Sequence, residues 1–408
     1  MFKRTTGKRS YFAAFKHPNY RLWVVGQLIS LFGTWMQATA EGFLVFELTH
    51  SPAWLGYVGF AAGIPVWLFS SYAGSIADRY PKRTILMITQ GVMMALAFST
   101  ATLTFLGWIT PHLLLFFSFM LGMANTFDAP VRQAFVVEMV GREDLMNAIA
   151  INSGMTNGAT AVGPAMAGVT YALFGPAWCF TMNGISFIGT LTALYMMKLP
   201  PHEKIERKSS IIEDIKDGFR YIKGKPVMLA IILVVAFNSA LGLAFATLFP
   251  AWAVKVLNGD AATNGFLQSS RGIGSLLGAL VMAMLSRTKR MGMFLSISMM
   301  AFPVFLLLFS LTDTLFASLS LLLIAGFFLL FVISLSNGLL QLLVADEYRG
   351  RVMSVHTMTF FGMTPVGAFI YGQLADHLSA PAAIQICGGI LLLFSISMFI
   401  FFPRLHHE

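Results

Sequence analysis

Residues 53–83 read AWLGYVGFAAGIPVWLFSSYAGSIADRYPKR. No residue from 53 to 77 carries a charge, and then Asp78, Arg79, Lys82 and Arg83 follow within one short loop. A run of about 20 apolar residues is long enough to cross the hydrocarbon core as a helix. The run lacks the period-2 alternation of a barrel strand, and backbone satisfaction in lipid then leaves the helix.

Working outward, apolar runs and short polar breaks alternate along the whole chain. Candidate spans fall near 20–48, 53–77, 84–107, 112–138, 145–173, 177–199, 226–256, 262–286, 291–311, 314–345, 352–378 and 382–402. Several exceed the minimum length, which permits tilt or helical ends reaching into water. Of the 408 residues, 57% are hydrophobic and 11% charged, with a mean hydropathy of +0.73. An average soluble domain is about 25% charged. These figures exclude an ordinary soluble enzyme, a disordered chain, a collagen and a disulfide scaffold. Twelve spans leave short loops and no room for a separate soluble domain. The chain reads as an all-α integral membrane protein.

The net charge is +9 and the pI about 9.6. In a membrane protein, what matters is where the positive residues lie. With the N-terminus inside and spans alternating, every one of the 27 basic residues except Lys255 and Arg271 falls on the inner side. The expected topology is therefore multi-pass with both termini cytoplasmic. The run after Arg21 is too long for a signal-peptide core, so an uncleaved first span is expected. Cys179 and Cys387 lie in apolar runs and form neither a disulfide framework nor a metal-ligand spacing. The His406-His407 pair is too short to argue for a metal.

Residues 200–225 form the one long polar segment. The expected organisation is a six-helix bundle over 1–199, a linker over 200–225 and a second six-helix bundle over 226–408. Within the linker, Ile211, Ile212, Ile215, Phe219 and Ile222 recur at helical spacing beside Glu213, Asp214, Lys216 and Asp217. This is an amphipathic helix, lying either on the inner membrane surface or free as a solvated linker. The two halves echo each other. Asn125 to Glu138 resembles Asn337 to Asp346, Pro164 with Gly163 and Gly168 is matched by Pro365 with Gly362 and Gly367, and Gly184-Ile185 by Gly389-Ile390. Such weak internal symmetry is expected of a transporter built from two repeats, with its substrate near the midplane between them.

The loop Gly74-Ser-Ile-Ala-Asp78-Arg79-Tyr-Pro81-Lys82-Arg83 resembles the signature loop of the major facilitator superfamily, with Pro81 where a second glycine often stands. FKHPNYRLW (15–23), QLISLFGTWMQ (27–37), DAPVRQ (128–133), REDLMN (142–147) and DEYRGRVMS (346–354) are similar to its enterobactin-exporter and drug-efflux branch, of the transmembrane secretion effector type. The resemblance implies a fold of twelve helices in two pseudo-symmetric bundles. It also implies a cavity lined by spans one, four, seven and ten, and inner-loop charges that latch the halves. Those gate positions are Gly74, Asp78, Arg79, Arg83, Arg132, Glu138, Arg142, Asp346, Arg349 and Arg351; ordinary topology-setting charge is the plainer reading of the same residues. Gly163, Pro164 and Gly168, with Ala159 and Ala167, resemble the superfamily's antiporter motif. Physically, small residues allow close helix approach and proline allows a kink.

Gln27, Ser30, Thr34, Gln37 and Glu41 follow a 3-4-3-4 spacing, so all five share one face of span one. A polar stripe should face the bundle interior. Asn125 with Asp128 and Arg132 in span four, Asn238 in span seven, and Ser334, Asn337 and Gln341 in span ten are weaker counterparts. These residues either line a substrate cavity or bond helix to helix. Glu41, in the outer half of span one, is expected either to load and release a proton or to sit exposed at the outer mouth. Asp128 is a second coupling candidate, but its neighbour Arg132 favours a structural salt bridge. Arg271, about 13 Å into span eight at 1.5 Å per residue, needs a partner or a watery cavity. It is expected either to pair with Glu41 across the halves or to bind an anionic substrate. His356 is a possible pH-sensitive group, more simply a packed polar residue.

No phosphate-binding loop, catalytic constellation or metal cluster is present, so no cofactor and no enzymatic activity are expected. Without a nucleotide site, the energy should come from an ion gradient. One charge crossing 100 mV supplies about 2.3 kcal/mol, enough for roughly fifty-fold accumulation at about 1.4 kcal/mol per tenfold. The expected function is proton-coupled export of small amphipathic molecules, a drug or a siderophore, by a monomer in the bacterial inner membrane that binds no nucleic acid. The alternatives are a lysolipid flippase and a proton-coupled importer.

Overall fold

A computed structural model describes residues 13–199, 211–285 and 290–403; the side chains at 71, 75, 78, 142 and 211–215 are outside that description. Thirteen long helical segments run in sequence: α1 (Pro18–Thr49), α2 (Pro52–Arg79), α3 (Lys82–Phe105), α4 (111–140), α5 (142–174), α6 (Pro176–Met196), α7 (Ile211–Lys223), α8 (Pro226–Lys255), α9 (Ala261–Met284), α10 (Met291–Phe309), α11 (Leu315–Leu343), α12 (Arg349–His377) and α13 (Ala380–Phe401). Spans one to six are thus α1–α6, and spans seven to twelve are α8–α13. Eight of them, α2, α3, α4, α6, α8, α10, α11 and α13, are long and apolar enough to cross a membrane. α1, α5, α9 and α12 fall short because their interior faces carry polar groups.

Local chemistry sets the boundaries. Pro18, Pro52, Pro111, Pro176 and Pro226 begin helices, where the missing N–H has no partner to lose. Asp260 and Thr263 form a reciprocal capping box at the start of α9. Between α4 and α5 the expected loop shrinks to Gly141 alone, whose φ of 69° only glycine adopts readily. α8 is not uniform: it winds into a π-helix at Asn238–Leu243 and a 3-10 turn at Ala244–Leu248 before resuming at Phe249–Lys255. Pro250, in that last turn, cannot donate the usual bond.

One end of the bundle gathers the start of α1, the α2–α3 turn, the α4–α5 break and the end of α6. Ala14 N–H donates to Asn147 Oδ1 (2.9 Å), His17 meets Asp144 (3.0 Å), Tyr20 Oη donates to the Ala148 carbonyl (3.0 Å) and Asn19 Nδ2 to that of Lys198 (2.8 Å). We call this the basic end, and the opposite one the far end. The first six helices pack among themselves, as do the last six; α5 against α9 and α2 against α12 form the broad seams between the groups. Small residues allow these approaches. A Cβ on Gly168 would lie 3.1 Å from Gly265 Cα, and one on Gly372 would lie 2.7 Å from Gly56 Cα.

α7 is helical as its spacing predicts. It docks on the protein. Tyr221 stacks on Tyr348 (4.2 Å), Asp217 meets Arg351 (3.5 Å), and Ile222 is fully buried in a cluster with Leu340 and Val352, while Phe219 stays exposed. The side chains of Ile211, Ile212, Ile215, Glu213 and Asp214 lie outside the described residues.

Candidate functional site

A cavity of about 960 Å³ lies at the centre of the molecule, walled by α1, α2, α4 and α12, with contributions from α3, α6, α8 and α9. Its lining at the basic end is exposed, as at Gln133, Gly350 and Ser354. Its lining at the other end, Glu41, Leu55 and Pro250, is buried. The chamber therefore opens at the basic end and is closed at the far end.

The polar face of α1 builds one wall. Ser30, Thr34, Gln37 and Glu41 line the cavity, as their spacing predicts; Gln27 lies beyond it and accepts from Arg132 Nη1 at 3.5 Å. Gln37 Oε1 accepts from Asn183 Nδ2 (2.6 Å), and Thr34 bonds back to the Ser30 carbonyl. Glu41 is buried rather than exposed at a mouth. It sits at the closed end of the chamber and accepts a hydrogen bond from the Ser118 hydroxyl. From α4, Asn125 and Arg132 reach the cavity, Asn125 also donating to the Leu121 carbonyl. Asp128 is fully buried beside it, accepting from Thr89 (2.8 Å), Gln90 (3.0 Å) and Arg132 Nε (2.8 Å). That is the structural salt bridge its spacing suggests.

Several expected lining residues are elsewhere. Asn238, in the π-helical stretch, donates to the Val234 carbonyl and shares a void of about 10 Å³ with Ser336 and His356. That is room for about one water. Asn337 and Gln341 bond each other (2.5 Å), and neither they nor Ser334 line the main cavity. Spans seven and ten thus do not mirror spans one and four here. α8 contributes Thr247 and Pro250, α11 contributes nothing, and α12 supplies much of the facing wall through Met353, Thr357 and Phe361. Sequence reasoning missed Ser118, Asn183 and Gln268. Ser118 is a lone polar group within an apolar run, which in a membrane favours an interior position, and Gln268 lies between Asn264 and Arg271 at 4-3 spacing on one face of α9.

Arg271 does not pair with Glu41 in this structure. Its Nε is buried without an acceptor, and it takes part in none of the ion pairs among the described residues. Glu41 lines the chamber and Arg271 does not, and Glu41 is held by Ser118.

At the basic end, Lys82 meets Glu138 (2.5 Å), and Arg83 donates to the carbonyls of Tyr195 (2.7 Å) and Met197 (3.3 Å), a cation at the C-terminus of α6. Arg349 meets Asp346 (2.8 Å). The pairs Lys82–Glu138, Asp128–Arg132 and Asp346–Arg349 each stay within one group of six helices, and Asp217–Arg351 ties the linker helix α7 to α12, so none of these four latches the halves together. Gly74 lines the mouth and Arg79 is exposed; the side chains of Asp78 and Arg142 lie outside the described residues. The motif around Pro164 does join the halves. Ala165 N–H donates to Ser269 Oγ of α9 (2.8 Å), and Gly163 lies under Trp35.

Known proteins share this arrangement. Residues 9–407 match the model of the family described as "Transmembrane secretion effector". The chain is 24% identical to the staphyloferrin A transporter of Staphylococcus aureus (strain NCTC 8325 / PS 47) over 368 residues, 87% of this chain and 89% of that one. It is 23% identical to the enterobactin exporter EntS of Escherichia coli (strain K12) over 403 residues, 96% of this chain and 93% of that one. Among solved structures, the nucleoside transporter NupG superposes with a TM-score of 0.71 at 14% identity, covering 94% of this chain and 99% of that one. The likeness shows the fold: the twelve-helix arrangement of the major facilitator transporters.

Proposed function

This chain belongs to the transmembrane secretion effector family, a multi-pass membrane transporter rather than an enzyme, and from that premise we propose that it is a proton-coupled exporter of small amphipathic molecules of the siderophore class. The observation that carries this reading is Glu41: a buried carboxyl at the closed end of a central cavity that opens at the other end.

In the proposed cycle the basic end faces the cytoplasm, as the distribution of lysines and arginines requires, in a bacterial inner membrane. Cargo enters the open chamber from that side. Gln37, Asn183 and Asn125 offer hydrogen bonds, and Met93, Phe187 and Phe361 offer apolar faces. When the far-end contacts part and the basic end closes, Glu41 meets the outer solution and takes up a proton as cargo leaves. Returning inward carries that proton to the chamber open to the cytoplasm, where the next cargo to enter displaces it. A carboxylate is costly to bury and its neutral form is not, so protonation and the closed far end favour each other. The small-residue seam between α5 and α9 is the surface on which the halves would rock. The siderophore class rests on the relatives' printed activities, staphyloferrin A transport and enterobactin export.

The test uses purified protein in proteoliposomes with an imposed pH gradient and staphyloferrin A as cargo. Wild type should accumulate it in the direction that moves cargo from the basic end to the far end. Glu41→Gln should lose gradient-driven accumulation while keeping cargo-for-cargo exchange. Gradient-driven transport at the wild-type rate in that variant would remove Glu41 as the coupling group, and cargo movement in the reverse direction would make the protein an importer.

A further inference from the structure

Asn264, Gln268, Arg271 and Ser275 follow a 4-3-4 spacing and so share one face of α9. The opposite face, Phe266, Ile273, Leu277 and Leu280, is exposed and apolar, as befits lipid contact. Of the two flanks, Gly265, Ser269 and Gly272 pack on α5, while Ser270 and Gly274 pack on α11. The polar row therefore looks inward between α5 and α11. Gln268, at its middle, lines the central cavity and lies 3.5 Å from Thr39 Oγ1 of α1.

This row is rich in donors and poor in acceptors. Asn264 is fully buried; its Oδ1 accepts from Gln268 Nε2 (3.4 Å), and its Nδ2 has no partner. Arg271 Nε is likewise buried without a partner. A helical side chain leans toward its own N-terminus, so the Arg271 guanidinium is carried toward Gln268, the member of the row that lines the cavity. An arginine at this depth is costly unless an acceptor satisfies it, and its planar fork matches a carboxylate in two-point contact. Among the described residues the only carboxyl lining the chamber, Glu41, is engaged by Ser118.

We propose that Asn264, Gln268 and Arg271 form an anion-recognition wall, and that the cargo carries carboxylates which complete it. This rests on reading the chamber as a cargo site. It goes beyond that reading by fixing the charge of the cargo and the residues that select it. An amphipathic cargo would place its acidic end against α9 and its apolar part against Met93 and Phe361.

The experiment is a thermal-shift titration of the purified full chain in detergent with tricarballylate and succinate, against their methyl esters and against chloride at equal ionic strength. A ligand that binds the folded state raises the midpoint with concentration. The acids should raise it and the esters should not. Arg271→Gln should weaken binding by about tenfold or more, as loss of a charge-assisted hydrogen bond implies, with Arg271→Lys between. Asn264→Ala, which removes the second orphaned donor, should weaken it less and serves if Arg271→Gln does not fold. No shift with either acid, equal shifts with the esters, or full binding by both variants would overturn the proposal. The proteoliposome assay separates the two readings. Staphyloferrin A transport without binding of the test carboxylates leaves the transporter standing and removes the anion wall. Carboxylate binding without any transport does the reverse.

Discussion

Asp376, in the last turn of α12, caps α2 across the seam: its carboxylate accepts from the Ser51 hydroxyl at 2.6 Å and faces the Ala53 amide at 3.5 Å. An anion from one group of six helices thus sits at the positive end of a helix in the other. The contact is at the far end, where the cavity is closed, and ties the two groups of six together there.

Removing this cap should favour opening. A side-chain cap contributes about 1 kcal/mol, and 1.4 kcal/mol is tenfold, so Asp376→Ala should raise the far-end-open population by about fivefold or less. Cys179 and Cys387 are both buried, which suits a labelling assay. A cysteine at Leu55, buried at the closed end of the cavity, should react faster with an impermeant maleimide in the Asp376→Ala background. Asp376→Asn keeps an acceptor and should restore much of the protection. Unchanged labelling in Asp376→Ala would mean the cap does not hold the gate.

Asp128 and Glu41 should separate cleanly when neutralised. Asp128 is satisfied by Thr89, Gln90 and Arg132, and Asp128→Asn leaves Arg132 without its counter-charge. Breaking a buried pair costs about 3–5 kcal/mol; since Arg132 is partly exposed, the lower part of that range is expected. Asp128→Asn should therefore lower the thermal midpoint markedly and reduce transport in proportion to folded protein. Glu41→Gln should leave the midpoint near wild type and change coupling only. A stable Asp128→Asn protein that has lost proton dependence would place the coupling role there instead.

A linear pattern conveys some of these assignments and not others. The α1 stripe was readable because a 3-4-3-4 spacing fixes one helix face whatever surrounds it. The partnership of residues 15–23 with 142–147 was not readable, since each stretch showed only its own family resemblance; the bonds from Ala14, His17 and Tyr20 to Asn147, Asp144 and Ala148 reveal it. The matched prolines also have one. The Pro164 carbonyl lies against Gly265, and the Pro365 ring against Gly63, so each sits in a seam between the halves. Helix rotation about its own axis is not in the pattern, which is why Asn337 and Gln341 were expected in a wall they do not reach. Depth along a span likewise does not fix which side chains meet, and the Glu41–Arg271 pair, expected in one conformation, is not made in this one. α12 went unread as a wall because much of its lining, Met353, Met358 and Phe361, is apolar and forms no polar stripe.

The α5–α9 seam should tolerate almost no added volume. A Cβ on Gly168 would stand 2.9 Å from Ala262 Cα and 3.1 Å from Gly265 Cα. These atoms belong to backbone and cannot swing aside. Gly168→Leu should cost about 1–3 kcal/mol as overpacking, spent on separating α5 from α9. The expected result is loss of turnover with the protein still monodisperse, and Gly168→Ala intermediate. Wild-type turnover in Gly168→Leu would show that the halves do not rely on this close contact.

The docking of α7 should depend on pH through Tyr221. Its phenol oxygen accepts from Lys225 Nζ (2.8 Å) and from the Ala345 amide (3.3 Å). Together, Lys225 first, they hold the phenol below its ordinary range. A group whose folded pKa is depressed adds stability when deprotonated; that stability is full above the unfolded pKa and is lost as pH falls through the folded one. With the ordinary tyrosine value at about 10, docking should tighten as pH rises towards about 10 and relax below the folded value. The effect should be small, since the ring is solvent-accessible and exposed charges are screened. A spin label at Phe219, exposed on α7, should become less mobile over that rise in wild type. Tyr221→Phe should remove the pH response while keeping the stack on Tyr348 (4.2 Å), whereas Tyr221→Ala should free the helix at every pH. A pH response that survives Tyr221→Phe would assign it to Lys225 or another group of the linker.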